Sequence, residues 1–453
     1  MSLGATFWHG ESHRRVWQLA WPMILSNITV PLLGMVDTAV IGHLPEPHYL
    51  GAVAIGASLF SLLYWSFGFL RMGTTGLTAR ALGRQDPLAQ RRLLGQSLVL
   101  AALLGLGLIL LQQPLLSLGL ALMDPSPAVL EQARLYCALR IYSAPAVLAN
   151  YALLGWFLGL QNSRVPLLLL VSANLVNMIL DLLLVMGLGW GVTGVAVASL
   201  CADYASLGLG GWLALRHLQR LPGPKLPLAA LWRWRDYGPL LRSNRYLMVR
   251  TLCLLFCFAF FTAQGARLGD SVLAANAVLL NFLLLISHGL DGFAHAVEAL
   301  CGRYLGARDQ QGFIRACAAA TLWSLGTALG FAALFYLGGE LLIRLLTDIP
   351  AVVSTARSYL PWLVALPLLG VWSYLLDGIF IGANWFRAMQ NCMLVATLGI
   401  YLPAWYLGQG LGNHGLWLAL ALLLAGRGVL GGAVFAAFVR RRPAGDSRCD
   451  EPR

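Results

Sequence analysis

Apolar residues occur along this chain in runs that are too long for the core of a soluble domain. Uncharged stretches recur from end to end, for example at residues 97–111, 165–180 and 397–406. A transmembrane helix needs roughly 20 predominantly apolar residues, and Gly, Pro and Arg residues separate the runs. The pattern therefore predicts an all-α integral membrane protein with about twelve transmembrane helices. A transmembrane β-barrel is not expected, because we find no period-two alternation of polar and apolar residues.

The predicted spans form two sets of six. Spans 1 to 6 are expected at 16–42, 50–80, 93–115, 128–158, 165–187 and 192–216. Spans 7 to 12 are expected at 240–268, 272–303, 313–338, 351–382, 387–407 and 415–439. We therefore predict an N-terminal six-helix lobe at 1–215, a cytoplasmic linker at 216–240, a C-terminal six-helix lobe at 241–440 and a polar cytoplasmic tail at 441–453.

Composition and charge support a membrane protein rather than a nucleic-acid-binding one. Hydrophobic residues make up 58% of the chain and charged residues 11%, whereas a soluble domain carries roughly 25% charged residues. The net charge of +12 comes mostly from arginines between the spans. One side of the predicted topology receives only Arg134, Arg267, Arg344 and Arg357. Because cytoplasmic loops retain Lys and Arg, we expect both termini to be cytoplasmic and the protein to lie in a bacterial inner membrane.

The two halves of the sequence are similar at a fixed shift of 223 residues. The matching segments are 82–86 with 305–309, 157–159 with 380–382, and Gly189 with Gly412. Six spans per half give both halves the same orientation. We therefore expect two lobes related by a pseudo-two-fold axis along the membrane normal, as occurs among transporters.

Acidic side chains within the predicted spans indicate a first candidate site. A charge at the centre of a transmembrane helix costs roughly 2.5–3.5 kcal/mol on insertion scales, so each one needs a reason. Asp37 on span 1, Asp181 on span 5 and Ser199 on span 6 reach a similar predicted depth. Asn177 precedes Asp181 on the same face of span 5. We hypothesise that Asp37 and Asp181 take up a proton or a sodium ion from outside in each cycle.

The alternative is that these acids are structural, as buried carboxylates that join helices through hydrogen bonds or an ion pair. Arg140 on span 4 is a candidate partner for such a pair. Two deeper cations, Arg250 and Arg427, have no partner that the sequence identifies.

A second polar stripe lies on span 8. Spacings of 3, 4 and 3 place four side chains on one helix face: His288, Asp291, His295 and Glu298. Asp377 on span 10 is a candidate neighbour. We interpret the stripe first as a proton relay or a substrate-contacting wall and second as a structural ion pair. A metal site comes third, because a lone helical stripe is weak evidence for ligation, and no metal or other cofactor is expected.

Three segments of the sequence resemble the DinF-type branch of the multidrug and toxic compound extrusion (MATE) transporters. They are PMILSNITVPLLGMVDTAVIGHL at 22–44, LDGFA at 290–294 leading to VEA at 297–299, and LDGIFIG at 376–382. The likeness extends from about Trp17 to Arg441. It implies twelve helices in two lobes around a V-shaped central cavity, and export of drugs in exchange for protons or sodium.

The resemblance also implies roles for individual residues. Asp37, Asn177 and Asp181 would form the coupling cluster, and Pro22 would bend span 1 during the cycle. Ser199 stands where relatives often carry Thr, and it keeps the hydroxyl. Tyr136 on span 4 is a further candidate member of the cluster.

Together these observations predict a cation-coupled antiporter, driven by protons or sodium, that exports amphipathic and cationic drugs or toxic compounds by alternating access. The expected partners are the small-molecule substrate and membrane lipids, with no nucleic acid and a monomeric state. A flippase for lipid-linked precursors is the alternative within the same superfamily, although its cavity would need more cationic side chains. An integral membrane enzyme is disfavoured because no nucleophile–base arrangement is found. A passive channel is disfavoured by the buried ionisable clusters.

Overall fold

The computed structural model of the protein describes residues 9–41, 47–123, 126–224 and 227–440, without the side chains of 28–41, 47, 48 and 228. Within these ranges the regular structure is helical and contains no β-strand. Ten helical stretches of the described chain are long and apolar enough to cross a membrane. The protein is therefore a multi-pass membrane protein, as the apolar runs predict.

The first half of the chain contains helices α1 to α9. They are α1 Gly10–Ile41, α2 Pro47–Trp65, α3 Phe69–Gly83, α4 Pro87–Leu110, α5 Gln112–Met123, α6 Pro127–Arg140, α7 Ala144–Gly159, α8 Arg164–Asp181 and α9 Gly191–Arg220. A π-helical segment, Leu182–Gly187, extends α8. Two 3₁₀ turns, Leu228–Trp232 and Trp234–Tyr237, then lead to the second half.

The second half contains helices α10 to α16. They are α10 Gly238–Ala266, α11 Asp270–Gly306, α12 Gln310–Leu346, α13 Pro350–Gly382, α14 Phe386–Val395, α15 Leu402–Leu407 and α16 Asn413–Arg440. A second π-helical segment, Ala396–Tyr401, joins α14 to α15. Each predicted span coincides with one helix or with two consecutive helices.

Three predicted spans are interrupted, and span 3 divides at Leu111, between α4 and α5. Span 4 divides at a 3₁₀ turn, Ile141–Ser143, just before Pro145, which cannot donate the hydrogen bond that would continue an α-helix. Span 2 was predicted to be continuous, but it divides between α2 and α3 at residues 66–68. There the Ser66 hydroxyl donates to the Leu63 carbonyl at 2.6 Å. Such local hydrogen bonds compete with the helical pattern.

The backbone confirms the internal repeat at the shift of 223 residues. Positive φ angles recur in pairs at this spacing: Gln85 with Arg308, Gln161 with Asn384, and Gly189 with Gly412. Residues other than glycine rarely adopt this conformation. Three coincident pairs therefore show that both halves use the same turns between corresponding helices.

The repeat also extends to the closest helix contacts. A Cβ atom added to Gly155 on α7 would lie 2.4 Å from the Arg71 carbonyl oxygen of α3. A Cβ added to Gly378 on α13 would lie 2.4 Å from the Ala294 carbonyl oxygen of α11. Gly155 and Gly378 are 223 residues apart, and so are Arg71 and Ala294. Glycine therefore permits the same close backbone approach in each half.

Replacing Gly378 with alanine is expected to destabilise the protein by about 1–3 kcal/mol, since the methyl group must push α13 away from a backbone oxygen. The matched control is Gly338→Ala on α12, where an added Cβ meets nothing within 4 Å. Thermal melts of the two purified variants measure the difference. Equal melting temperatures for Gly378→Ala and the unsubstituted protein would show that α11 and α13 can separate at little cost.

The chain forms two compact units whose boundaries differ from the predicted lobes. The first unit comprises Leu25–Leu241, and the second comprises Met1–Ile24 with Arg242–Arg453. Compared with the first unit, the predicted lobe at 1–215 lacks residues 216–241. In turn, the predicted lobe at 241–440 lacks the start of α1.

The start of α1 is held by side chains of the second unit. Arg15 donates to the Tyr304 hydroxyl at 2.9 Å. The Trp17 ring lies 4.9 Å from the Trp323 ring and 5.9 Å from the Phe293 ring, measured between centroids. These contacts pack polar and aromatic groups from α1 against α11 and α12.

The corresponding segment of the second half packs on the first unit. Leu231 contacts Gly95 of α4, where a glycine Cβ would lie 2.6 Å from the leucine Cδ2. Asp236 lies 3.8 Å from the Arg92 guanidinium, also on α4. Each half thus contributes its opening segment to the compact unit formed by the other half.

Candidate functional site

The predicted residues of spans 5 and 6 meet within the first unit. Asp181 is the last residue of α8 and is fully buried, and Asn177 lies one turn earlier with 2% of its surface exposed. The Asn177 side-chain amide donates to the Ser199 hydroxyl of α9 at 3.2 Å. Helices α8 and α9 therefore bring an acid, an amide and a hydroxyl to one buried region.

A π-helical segment begins directly after Asp181. Segments of this kind are rare, and they occur frequently at functional sites because they widen the helix and re-aim neighbouring side chains. The sequence LLLVMG at 182–187 gives no sign of it, since these residues are typical of an ordinary membrane helix. The candidate site therefore includes a local distortion that the sequence did not predict.

The residues of span 1 are only partly described. Asp37 lies on α1, but its side chain is outside the described residues, so its proximity to Asp181 stays a prediction. Pro22 is buried within α1, which remains helical on both sides of it. The bending role of Pro22 also stays a prediction.

Tyr136 of α6 is buried, with 4% of its surface exposed. Its ring packs on Gly56 of α2, where an added Cβ would lie 2.3 Å from the tyrosine Cδ1. The Phe60 ring, also on α2, lies 6.5 Å away between centroids. These contacts place Tyr136 in the packing between α2 and α6.

Arg140 pairs with Asp203, a residue that the sequence analysis missed. Its Nη1 atom lies 2.5 Å from Asp203 Oδ2 of α9, and both side chains are mostly buried. The Tyr64 hydroxyl donates to the Arg140 carbonyl at 3.2 Å. The sequence had suggested Arg140 as a partner for Asp37 and Asp181. The signal for Asp203 was its spacing of four residues from Ser199, which puts both on one face of α9.

In the second unit, Asp377 of α13 is the common acceptor for two arginines. Arg427 of α16 places Nη2 2.5 Å from Asp377 Oδ2, and Arg250 of α10 donates to the same oxygen. Arg427 is 6% exposed and Arg250 is 8% exposed. The structure thus supplies the partner that the sequence could not identify for either arginine.

The two units share this arrangement with the charges exchanged. In the first unit, the helix of span 4 carries the arginine and the helix of span 6 carries the acid. In the second unit, the corresponding helix of span 10 carries the acid and that of span 12 carries an arginine. In each unit, the ion pair joins two helices. Removing one partner of such a buried pair is strongly destabilising.

Two members of the stripe on span 8 contact each other. His295 Nδ1 lies 3.7 Å from Glu298 Oε2, one turn along α11, and Glu298 is 1% exposed. Just before His288, the Ser287 hydroxyl lies 2.5 Å from the Tyr374 hydroxyl of α13. Among the described residues, no group of three or more His, Cys, Asp and Glu side chains could hold a metal ion. The interpretations of the stripe as a proton relay or substrate-contacting wall and as a structural ion pair stay predictions.

Comparisons with known proteins agree with this architecture. The MatE family model matches residues 22–183 and 247–407, one segment in each half. The chain is 48% identical over 420 residues to DNA damage-inducible protein F of Escherichia coli (strain K12), covering 92% of this chain and 91% of the relative. It is 25% identical over 428 residues to multidrug resistance protein PmpM of Pseudomonas aeruginosa, covering 91% and 88%.

A solved structure shares the fold over nearly the full length. It is a MOP superfamily transporter from Pyrococcus furiosus Vc1 (DSM3638), with a TM-score of 0.83 at 19% identity. The match covers 98% of this chain and 100% of that chain. The fold is therefore that of the MATE and MOP transporters, whose known structures have twelve helices in two lobes.

Proposed function

The chain belongs to the DinF branch of the MATE transporter family, and from this membership we propose that it is a cation-coupled antiporter that exports amphipathic, cationic drugs or toxic compounds. Members of this family are transporters and not enzymes. The coupling ion in the proposal is a proton or a sodium ion. We also propose an inner-membrane location with both termini in the cytoplasm, because the arginines concentrate on one side of the predicted topology.

The observation that carries the coupling proposal is the full burial of Asp181 beside the Asn177–Ser199 hydrogen bond. A buried carboxylate needs groups that compensate its charge, and a cation bound next to it compensates that charge directly. A proton would neutralise the carboxylate directly. A sodium ion would use it together with the amide and hydroxyl oxygens nearby, since hard cations prefer oxygen ligands.

The cycle that we propose links this cation to the drug. Binding of a cation at Asp37 and Asp181 from outside favours one arrangement of α1, with Pro22 as the bending point. Release of the cation to the cytoplasm favours the other arrangement. A ligand shifts such an equilibrium only through different affinities for the two states. The drug must therefore bind best in the state that the cation binds worst.

The proposed substrate class rests on charge and on a relative. The P. aeruginosa relative is a multidrug resistance protein by name. In the second unit, the two arginines on Asp377 offset two of the three carboxylate charges contributed by Asp291, Glu298 and Asp377. We therefore attribute the proposed preference for cationic ligands mainly to the acidic residues of the first unit.

We expect expression of the protein in a drug-hypersensitive bacterial host to lower the accumulation of a cationic dye. Collapse of the coupling gradient should restore accumulation to that of an empty-vector strain. An uncoupler and a sodium-free medium, applied separately, identify the coupling ion. Dye accumulation equal to the vector control under every condition would reject export of this substrate class.

A flippase for lipid-linked precursors is the second candidate, and the buried Arg250 and Arg427 favour it. Such precursors carry phosphate groups, which arginine binds well. Both guanidinium groups share the Asp377 carboxylate, however, and this pairing competes with any phosphate. Movement of a fluorescent lipid-linked pyrophosphate across proteoliposomes would favour the flippase over the antiporter.

A further inference from the structure

A polar cleft lies where α12 ends and α13 begins, away from the clusters described above. Its volume is about 550 Å³. Its lining includes Glu340, Arg344, Asp348, Ser354, Arg357 and Ser358. We call it the α12–α13 cleft. It contains two of the four arginines that the predicted topology places on the side opposite to the arginine-rich loops.

The charged groups of the cleft are balanced. Glu340 lies 2.9 Å from Arg344 and 3.4 Å from Arg357, measured between carboxylate oxygens and guanidinium nitrogens. Asp348 supplies a second carboxylate. The cleft therefore offers two cations and two anions, with no net charge. A purely anionic ligand gains little from such a site, because the carboxylates oppose the arginines.

The groups also remain accessible. The Arg344 side chain is 63% exposed and the Arg357 side chain is 68% exposed, although both contact Glu340. The Ser354 and Ser358 hydroxyls donate to backbone carbonyls, which leaves their oxygen lone pairs able to accept. The cleft thus has donors suited to a phosphate and acceptors suited to an ammonium group.

An apolar stripe leads along α12 to the cleft. Leu337, Leu341 and Leu345 are 82%, 66% and 72% exposed. Their spacing of four residues places them on one helix face, and Arg344 lies on the same face seven residues after Leu337. A membrane helix that exposes leucines in this way contacts acyl chains. The arginine then lies at the position of the headgroup.

From the charge balance and the leucine stripe, we propose that the α12–α13 cleft binds the phosphoethanolamine headgroup of a zwitterionic membrane phospholipid. The phosphate lies against Arg344 and Arg357, and the primary ammonium donates to Glu340 and Asp348. The acyl chains follow Leu337 and Leu341. A choline headgroup fits less well because it has no N–H donor and favours aromatic rings, which are absent from the lining that the structure describes.

Native mass spectrometry of the delipidated full-length protein tests the proposal with three lipids of the same acyl chains. These are phosphatidylethanolamine, phosphatidylglycerol and phosphatidylcholine. The variants Arg344→Gln and Arg357→Gln are each expected to weaken phosphatidylethanolamine binding by about fivefold. Glu340→Gln should shift the preference toward phosphatidylglycerol, since it leaves the cleft positively charged. The matched control is Arg267→Gln, an exposed arginine between α10 and α11.

Tighter binding of phosphatidylethanolamine than of the other two lipids, lost in the cleft variants and kept in Arg267→Gln, supports the proposal. Equal binding of all three lipids, or an equal loss in Arg267→Gln, overturns it. Free phosphoethanolamine is added as a competitor. Displacement of the lipid at equimolar competitor would identify a soluble ligand instead and overturn the lipid assignment. Melting curves without lipid confirm that each variant is folded, and none of these measurements depends on transport.

Discussion

Replacing Asp181 with asparagine is expected to reduce cation-coupled export by about tenfold or more, equivalent to roughly 1.4 kcal/mol of lost coupling. Asparagine keeps the shape and much of the hydrogen bonding of the buried side chain, but it can neither take up a proton nor offer a charge to sodium. Dye export from proteoliposomes with an imposed proton or sodium gradient measures the effect.

The control for Asp181→Asn is Glu131→Gln, which removes an exposed carboxylate from α6 of the same unit. Export should be unchanged in this variant. The proposal predicts that Asp37→Asn behaves as Asp181→Asn does. Full coupled export in Asp181→Asn, with normal expression and melting temperature, would falsify the assignment of Asp181 to the coupling site and leave it a structural acid.

Replacing Asp377 with asparagine is expected to destabilise the protein by about 3–5 kcal/mol, because it leaves two buried guanidinium groups without their common carboxylate. The melting temperature in detergent measures this loss. Adding Arg250→Gln to Asp377→Asn should recover part of it, since the second change removes one of the stranded charges. Asp270→Asn, at the exposed start of α11, controls for the loss of a carboxylate as such.

The Asp377 series also separates two interpretations of the second polar cluster. A structural triad predicts that stability falls first and that export falls in proportion to folded protein. A proton relay through Asp377 predicts normal melting with export abolished. The shared oxygen between Arg250 and Arg427 favours the structural triad.

The helices were predictable because the solvent of this protein is apolar. Length and hydrophobicity identify a membrane helix with little help from tertiary contacts. Each predicted span therefore coincides with helical structure, and ten stretches of the described chain are long and apolar enough to cross a membrane. The breaks were harder. Pro145 accounts for the interruption of span 4, whereas no proline marks the turn before Phe69, where the Ser66 hydroxyl donates to the Leu63 carbonyl. The π-helical segment after Asp181 leaves no mark on its own sequence.

The candidate site was predictable only where residues share a helix or a depth. Asn177 and Asp181 lie one turn apart, and the depth of Ser199 was estimated from span 6. Ion pairs between distant spans do not follow from spacing. Arg250 and Asp377 are separated by 127 residues, and nothing local tells either of them which helix it will face. The segments exchanged at the start of each half were missed for the same reason.

This exchange has a consequence for how the gene can be divided. A break within 221–237 would separate twelve spans into two sets of six, yet neither product would be a complete folding unit. The C-terminal product would expose the Phe293 and Trp323 surface that Trp17 covers. The N-terminal product would lose the Asp236 that faces Arg92. Each half expressed alone should therefore fail to fold. Co-expression of both halves from two genes restores the contacts that each half lacks.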